Sequence, residues 1–128
     1  MAGVAVLIYV ESRYQVSRKK IRQTVVDALK DQHLESPVEV SIAIVGDRKM
    51  RELSKKYKGE DKTRNVLSFS LAEGKDTKLP TDTIRLGDIV ISYPVVIKEA
   101  SRDEVMVDDK VAELIEHGLM HLLGLHHE

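Results

Sequence analysis

The amino-acid sequence predicts a single α+β domain, with helices packed on one mixed β-sheet of about four strands. Some segments alternate apolar and polar residues, whereas others repeat apolar residues every three or four positions, so both strands and helices are expected. The order strand, helix, strand, helix, two strands and helices requires a parallel pairing, because hairpins cannot join every strand. The chain of 128 residues suffices for one hydrophobic core, and we assign residues 1–128 to one domain.

The N-terminal half predicts two strands and two helices. The apolar run Val4–Val10 is typical of a strand buried on both faces. Ser17 is a suitable N-cap for a first helix with an apolar face formed by Ile21, Val25, Ala28 and Leu29. Apolar side chains alternate over residues 38–44, which predicts a strand with one apolar face. Asp47 is expected to cap a second helix that buries Met50, Leu53 and Tyr57.

The C-terminal half predicts two further strands, a loop and two helices. Strands are expected at residues 66–71 and 86–92, with a polar loop over residues 72–83 between them. Pro94 can open a short helix that reaches about Ala100. A last helix begins near Asp108 and ends at Gly124, with His117 and His121 on the flank of its apolar face.

Composition excludes several classes of protein. There is no cysteine, so disulfides, thiolate metal ligands and cysteine nucleophiles are excluded. The N-terminal apolar run is too short to span a bilayer and lacks the features of a signal peptide, so we expect a cytoplasmic protein without membrane contact. The formal net charge is −1, but residues 48–64 are locally basic. Such a stretch fits either a nucleic-acid contact or a solvated helix face.

Three histidines near the C-terminus have the spacing of metal ligands. His117 and His121 lie four residues apart and share one helix face. Gly124 would end the helix and let the chain turn, so that His127 can reach the same ion. Three imidazoles with an open fourth position are typical of a catalytic zinc site, although other divalent transition metals also accept imidazole.

The spacing overlaps the H-E-x-x-H pattern of zinc proteases, in which glutamate after the first histidine is the general base. Gly118 occupies that position here. Glu116 precedes the first histidine and would point about 100° away around the helix. Peptide hydrolysis by that mechanism therefore lacks its base.

Three blocks of the sequence resemble the YbeY family of bacterial endoribonucleases. Residues 117–127 resemble its H-G-x-x-H-L-x-G-x-x-H motif. Residues 57–69, Y-K-G-E-D-K-T-R-N-V-L-S-F, are similar to its Y-R-G-K-D-K-P-T-N/D-V-L-S-F segment, and residues 86–91 match its L-G-D-I-x-I strand. The blocks occur in the same order as in the family.

The resemblance implies a zincin-like α+β fold and one zinc ion held by His117, His121 and His127. It also implies a single-strand-type endoribonuclease of 16S rRNA 3′-end maturation and ribosome quality control. The expected partners are ribosomal RNA and the small ribosomal subunit or its proteins. Lys58 replaces the family's arginine and is a candidate phosphate contact, although lysine lacks the planar fork of a guanidinium.

Several alternatives remain open from the sequence. The chain fits a zinc-dependent amidase or peptidase-like hydrolase that receives a carboxylate from elsewhere in the fold, or a non-catalytic ribosome-associated RNA-binding protein. His126 could replace His127 as the third ligand, but the motif spacing favours His127. Asp88 could orient a ligand imidazole or satisfy backbone donors after Gly87, and we favour the second role. Asn65 and Ser68 could line a cleft or serve as ordinary polar partners.

Overall fold

The computed structural model describes residues 3–70 and 83–126. Within these residues, four strands form one sheet in the order β1-β2-β4-β3. The strands are β1 (Val4–Val10), β2 (Val38–Val45), β3 (Val66–Phe69) and β4 (Ile84–Ser92). β2 pairs in parallel with both β1 and β4, whereas β3 runs antiparallel to β4. The predicted α+β class with one mixed sheet is confirmed.

Four helices connect and cover the strands in the described part of the chain. They are α1 (Arg18–Leu29), α2 (Asp47–Lys58), α3 (Tyr93–Arg102) and α4 (Val107–His126). The predicted cap of α1 is confirmed, because the Ser17 side chain accepts a hydrogen bond from the N–H of Lys20 at 3.0 Å. Pro94 lies in the first turn of α3, as predicted.

The predicted cap of α2 is wrong by one residue. Gly46 is the N-cap, and its N–H donates to the Glu11 carboxylate. Asp47 is instead the first helical residue, where its carboxylate accepts a hydrogen bond from Nε of Arg51 at 2.8 Å. A carboxylate in the first turn also interacts favourably with the helix dipole, so Asp47 stabilises the helix without capping it.

The sheet is covered on both faces. The alternating side chains of β2 pack against α1 and α4 in the larger core cluster, as the sequence predicts for this strand. Its central residues are Val40, Ile42, Ile44, Ile115, Leu119 and Leu122. On the opposite face, Met50 of α2 packs against Val45, Leu67 and Val90. α4 and α2 therefore lie on opposite sides of the sheet.

The prediction that β1 is buried on both faces is wrong. Among the described strands, β1 is an edge strand that pairs only with β2. Leu7 and Tyr9 are 48% and 59% exposed, whereas Val6 is buried. The smaller core under α2 is formed by residues of β2, β3 and β4 and does not extend to β1. An apolar run alone does not show how many of its faces another element will cover.

Two strand boundaries differ from the prediction. β3 ends at Phe69 within the described residues, and Leu71 and most of the predicted loop over residues 72–83 lie outside them. β4 begins at Ile84, two residues before the predicted start, because it pairs with β2 from Val38 onward. No helix in the described ranges is long and apolar enough to cross a membrane.

Candidate active site

Two histidines extend from the outer side of α4. His117 and His121 are exposed, whereas Leu119 and Leu122 between and beyond them are buried against the sheet. Residues four apart on a helix lie on one face, with about 5–6 Å between their β-carbons. The structure therefore places the first two predicted ligands side by side on the flank of the apolar face.

Gly118 lies where α4 packs tightly against the sheet. A β-carbon on this residue would lie 2.7 Å from Oγ of Ser68 in β3 and 3.0 Å from Cγ2 of Ile89 in β4. A side chain at this position therefore requires Ser68 and Ile89 to shift. The glutamate that follows the first histidine in zinc proteases is disfavoured by this packing.

A cleft of about 150 Å³ opens beside the two histidines. The described residues that line it are Lys58, Arg64, Val66, Leu67, Ser68, His117 and His121. One wall is therefore formed by α4, and the other by the end of α2 and the segment leading into β3. Two cationic side chains share this cleft with the two imidazoles, and none of its described lining residues is acidic.

Lys58 reaches the cleft because α2 ends there. It is the last residue of the helix, and Gly59 closes the helix in the left-handed conformation with φ of 70°. The ring of Tyr57 stacks on Phe69 with 4.3 Å between their centroids, which joins the last turn of α2 to β3. This stacking positions the exposed Lys58 near the strand that carries Ser68.

Arg64 is held in place by two side chains. Its Nε donates to Oγ of Ser54 at 3.0 Å, and Nη2 donates to the Glu60 carboxylate. Ser54 is fully buried in α2, so it is a fixed anchor. Lys62 and, to a lesser extent, Arg64 hold the pKa of Glu60 below its usual value, so the carboxylate stays charged at neutral pH. The charge pattern of residues 48–64 did not distinguish Arg64 from its neighbours.

Two other polar residues, Ser68 and Asn65, have different roles in the structure. Ser68 lines the cleft. The amide nitrogen of Asn65 instead donates to both carboxylate oxygens of Glu99 in α3, each at 3.2 Å. Asn65 is therefore a structural link between β3 and α3.

Asp88 does not support a ligand histidine. Its neighbours Gly87 and Ile89 face Leu122 and Gly118 of α4, so the alternation of the strand directs Asp88 to the opposite face of the sheet. There, Asp88 lies opposite Ser41 of β2 in the strand register, and its Oδ2 has no hydrogen-bond partner among the described residues. The suggested role in orienting an imidazole is therefore wrong, and the role in satisfying backbone donors stays a prediction.

The predicted end of the last helix is also wrong. α4 continues through Gly124 to His126. Gly124 is not among the residues with positive φ, and a β-carbon added to it would contact nothing within 4 Å. Glycine in a helix interior lowers the stability of the helix by only about 1 kcal/mol relative to alanine. Gly124 therefore permits a turn without forcing one.

The two described imidazoles have the chemistry of zinc ligands. Neither makes a hydrogen bond to another described residue, and both are accessible from the cleft. No group of three potential ligands occurs among the described residues. His127 lies outside them, so its role as the third ligand stays a prediction.

A larger cavity of about 420 Å³ lies elsewhere, near the carboxyl ends of β1 and β2. It is lined by Tyr9, Glu11, Ser12, Arg13, Gly46, Arg48 and Lys49. The carboxylate of Glu11 already binds the N–H at the start of α2 there. None of the described residues that line this cavity is a histidine, so the smaller cleft is the better candidate site.

The fold resembles that of a solved structure. The solution structure of TM1509 from Thermotoga maritima superimposes with a TM-score of 0.59 at 21% sequence identity, covering 91% of this chain and 71% of that chain. This likeness places the chain in the same α+β fold class.

Sequence comparison identifies the family. The family model Endoribonuclease YbeY matches residues 8–128, and the chain belongs to this family. A relative named Endoribonuclease YbeY from Syntrophus aciditrophicus is 41% identical over 90 residues, which are 70% of this chain and 55% of that protein. A relative of the same name from Persephonella marina is 33% identical over 114 residues, covering 88% of this chain and 71% of the relative. The chain thus spans only about half the length of some curated relatives that it matches.

Proposed function

We propose that this chain is a metal-dependent endoribonuclease that cleaves single-stranded ribosomal RNA. The observation that carries the proposal is the cleft in which Lys58 and Arg64 lie beside His117 and His121. Family membership supports the same reaction, because the curated relatives are named endoribonucleases. We assign the activity to 16S rRNA 3′-end maturation and ribosome quality control in the cytoplasm, with the small ribosomal subunit or its proteins as partners.

His117 and His121 would hold the metal together with His127. Zinc suits three neutral imidazoles, although other divalent transition metals accept the same ligands. When bound, the ion would supply a Lewis acid and lower the pKa of water for attack on a phosphodiester. The histidines contribute a fixed position on α4, because the helix is anchored to the sheet by buried Leu119 and Leu122.

The cationic side chains of the cleft account for binding of the RNA backbone. Lys58 presents a mobile point charge at the end of α2, where it can neutralise a phosphate. Arg64 adds a second positive charge on the same wall. None of the described lining residues is a carboxylate, and Gly118 stands where zinc proteases carry their glutamate, so the described part of the cleft supplies no general base for an amidase or peptidase.

The proposal is tested by RNA cleavage with histidine variants of the 128-residue chain. We expect His117→Ala and His121→Ala each to lose bound zinc and to reduce cleavage of single-stranded 16S 3′-end RNA at least about 100-fold. His33→Ala is the matched control, because His33 is exposed and does not line the cleft. Its cleavage rate and metal content should equal those of the wild type. The same preparations also measure background from contaminating ribonucleases.

Three outcomes would contradict the proposal. Full cleavage by His121→Ala would show that the metal-binding pair is not needed. Cleavage of amide substrates without cleavage of RNA would indicate the amidase-like alternative. Binding of RNA and zinc with no cleavage in any variant would indicate a non-catalytic RNA-binding protein.

A further inference from the structure

We propose that Arg64 binds a substrate phosphate through two coplanar N–H donors of its guanidinium group. Glu60 and Ser54 hold this guanidinium group in position. The inference rests on the proposed function, since it assumes that the cleft binds RNA. It goes further in assigning a phosphate contact to one named residue of the cleft lining.

The first observation is where Arg64 lies. It lines the cleft together with both histidines, and its side chain is 24% exposed. A guanidinium that is partly desolvated interacts more strongly with an anion than a fully hydrated one. By contrast, the Arg102 side chain is 66% exposed, so its guanidinium group is not desolvated in this way.

The second observation is that Arg64 retains donors for a ligand. A guanidinium group has five N–H donors. Among the described residues, one is used on Ser54 and one on Glu60. The remaining donors suffice for a bidentate contact with a phosphate, and the two existing hydrogen bonds reduce the side-chain entropy that would otherwise be lost on binding.

The acid partner does not fully neutralise Arg64. The Glu60 carboxylate also pairs with Lys62, with 3.2 Å between Oε2 and Nζ. One negative charge is therefore shared between two cations, and the cleft wall stays positive overall when Lys58 is included.

Lys58, the other cation of the cleft, cannot make a bidentate contact, because an ammonium group has no planar fork of N–H donors. Among the described lining residues, Arg64 is therefore the one that can hold a phosphate through two parallel hydrogen bonds.

The test separates charge from geometry at this position. Arg64→Lys keeps the charge and removes the fork, and Arg64→Gln removes both. We expect kcat/KM on single-stranded RNA to fall about 10-fold for the first variant and about 100-fold for the second, because each lost charge-assisted hydrogen bond is worth about 1.5–3 kcal/mol. The salt dependence of RNA binding should lose a slope of about 0.7 only in Arg64→Gln.

Arg51→Ala is the matched control. Arg51 also pairs with an acid four residues away, but it lies outside the cleft lining. Its kcat/KM should stay within about twofold of the wild type. Zinc content should be the same in all these variants, since the histidines are unchanged.

Glu60→Gln distinguishes binding from a merely structural role. If Arg64 binds phosphate and Glu60 only positions it, Glu60→Gln should lose less kcat/KM than Arg64→Gln at similar thermal stability. Equal losses of kcat/KM, accompanied by equal falls in melting temperature, would show a structural ion pair and overturn the inference.

If the wild type cleaves RNA and both Arg64→Lys and Arg64→Gln behave like Arg51→Ala, the Arg64 inference alone fails. If the wild type neither binds nor cleaves RNA, the proposed function fails with it.

Discussion

Gly118 and Ser68 are in such close contact that a β-carbon on the glycine would lie 2.7 Å from Oγ of the serine. This separation is shorter than any normal contact of a β-carbon. The contact brings α4 against β3 and thereby places His117 and His121 at the edge of the cleft that Ser68 lines. The glycine of the histidine motif is therefore explained by packing as well as by the missing protease base.

Gly118→Ala should destabilise the protein. Alanine favours a helix interior by about 1 kcal/mol relative to glycine, but the new methyl group would overlap Ser68 and Ile89. Overpacking of this kind costs about 1–3 kcal/mol, so we expect a net loss of up to about 2 kcal/mol in the free energy of unfolding. Urea denaturation of the variant and the wild type measures this difference in the free energy of unfolding. A melting temperature equal to or above that of the wild type would show that α4 can move away from the sheet freely.

The stability of the α3–α4 corner should depend on pH through Asp103. Its carboxylate accepts hydrogen bonds from Arg102 and from Nζ of Lys110, whose side chain is only 4% exposed. Arg102, and then Lys110, hold the pKa of Asp103 well below its usual value of 3.8. The carboxylate therefore stabilises the fold fully above the unfolded pKa, and this contribution is lost as the pH falls through the folded pKa.

Asp103→Asn should consequently lower the melting temperature at pH 7 and show a smaller further decrease in acid than the wild type. The difference between the two proteins should narrow below about pH 4, where the unfolded carboxyl becomes protonated. Thermal denaturation at several pH values measures it. Asp31→Asn provides the control for the loss of one exposed carboxylate, and its melting temperature at pH 7 should equal that of the wild type.

Asp88 should have the opposite pH dependence. Burial raises the pKa of Asp88 above 3.8, and the opposing effects of Arg85 and Ser41 do not cancel the increase. A raised folded pKa means that stability is lost as the pH rises from the unfolded pKa through the folded one. Asp88→Asn should therefore raise the melting temperature at pH 7 but leave it unchanged near pH 3. An equal effect at both pH values would show that the charge of Asp88 is not the cause.

The local features of the fold could be predicted from the sequence, because each depends on neighbouring residues. Ser17 caps α1 as predicted, and the alternation in β2 gives its buried face. Features that depend on distant elements could not. The exposure of Tyr9 follows from the limited extent of the core beneath α2, and the side of the sheet on which Asp88 lies follows from the position of α4.

The candidate site also combines a local feature that the sequence predicts with a feature that depends on distant elements. The spacing of His117 and His121 predicts their common face, since four residues make about one helical turn. Arg64 could not be singled out, because a run of basic residues does not show which side chain turns toward a cleft. Its place in the cleft lining, together with its hydrogen bond to buried Ser54, distinguishes it from the other cations of the segment.

Gly124→Ala should make α4 more stable and weaken zinc binding. The glycine lies within the helix and has no neighbour within 4 Å of an added β-carbon, so alanine should stabilise the helix by about 1 kcal/mol. A continued helix would rotate position 127 by about 240° from His121, away from an ion bound there. His127 can therefore act as the third ligand only if the chain leaves helical geometry near Gly124. Zinc binding must then overcome the added helix stability, and the affinity should fall about fivefold.

Zinc titration with a competing chelator, together with melting temperatures measured in the chelator alone, checks this linkage. His127→Ala is the companion variant, and it should lower zinc affinity further while leaving the melting temperature in the chelator unchanged. If Gly124→Ala raises the melting temperature but leaves zinc affinity at the wild-type value, the helix need not open for the metal. If His127→Ala also keeps the wild-type affinity, the third ligand is a residue other than His127.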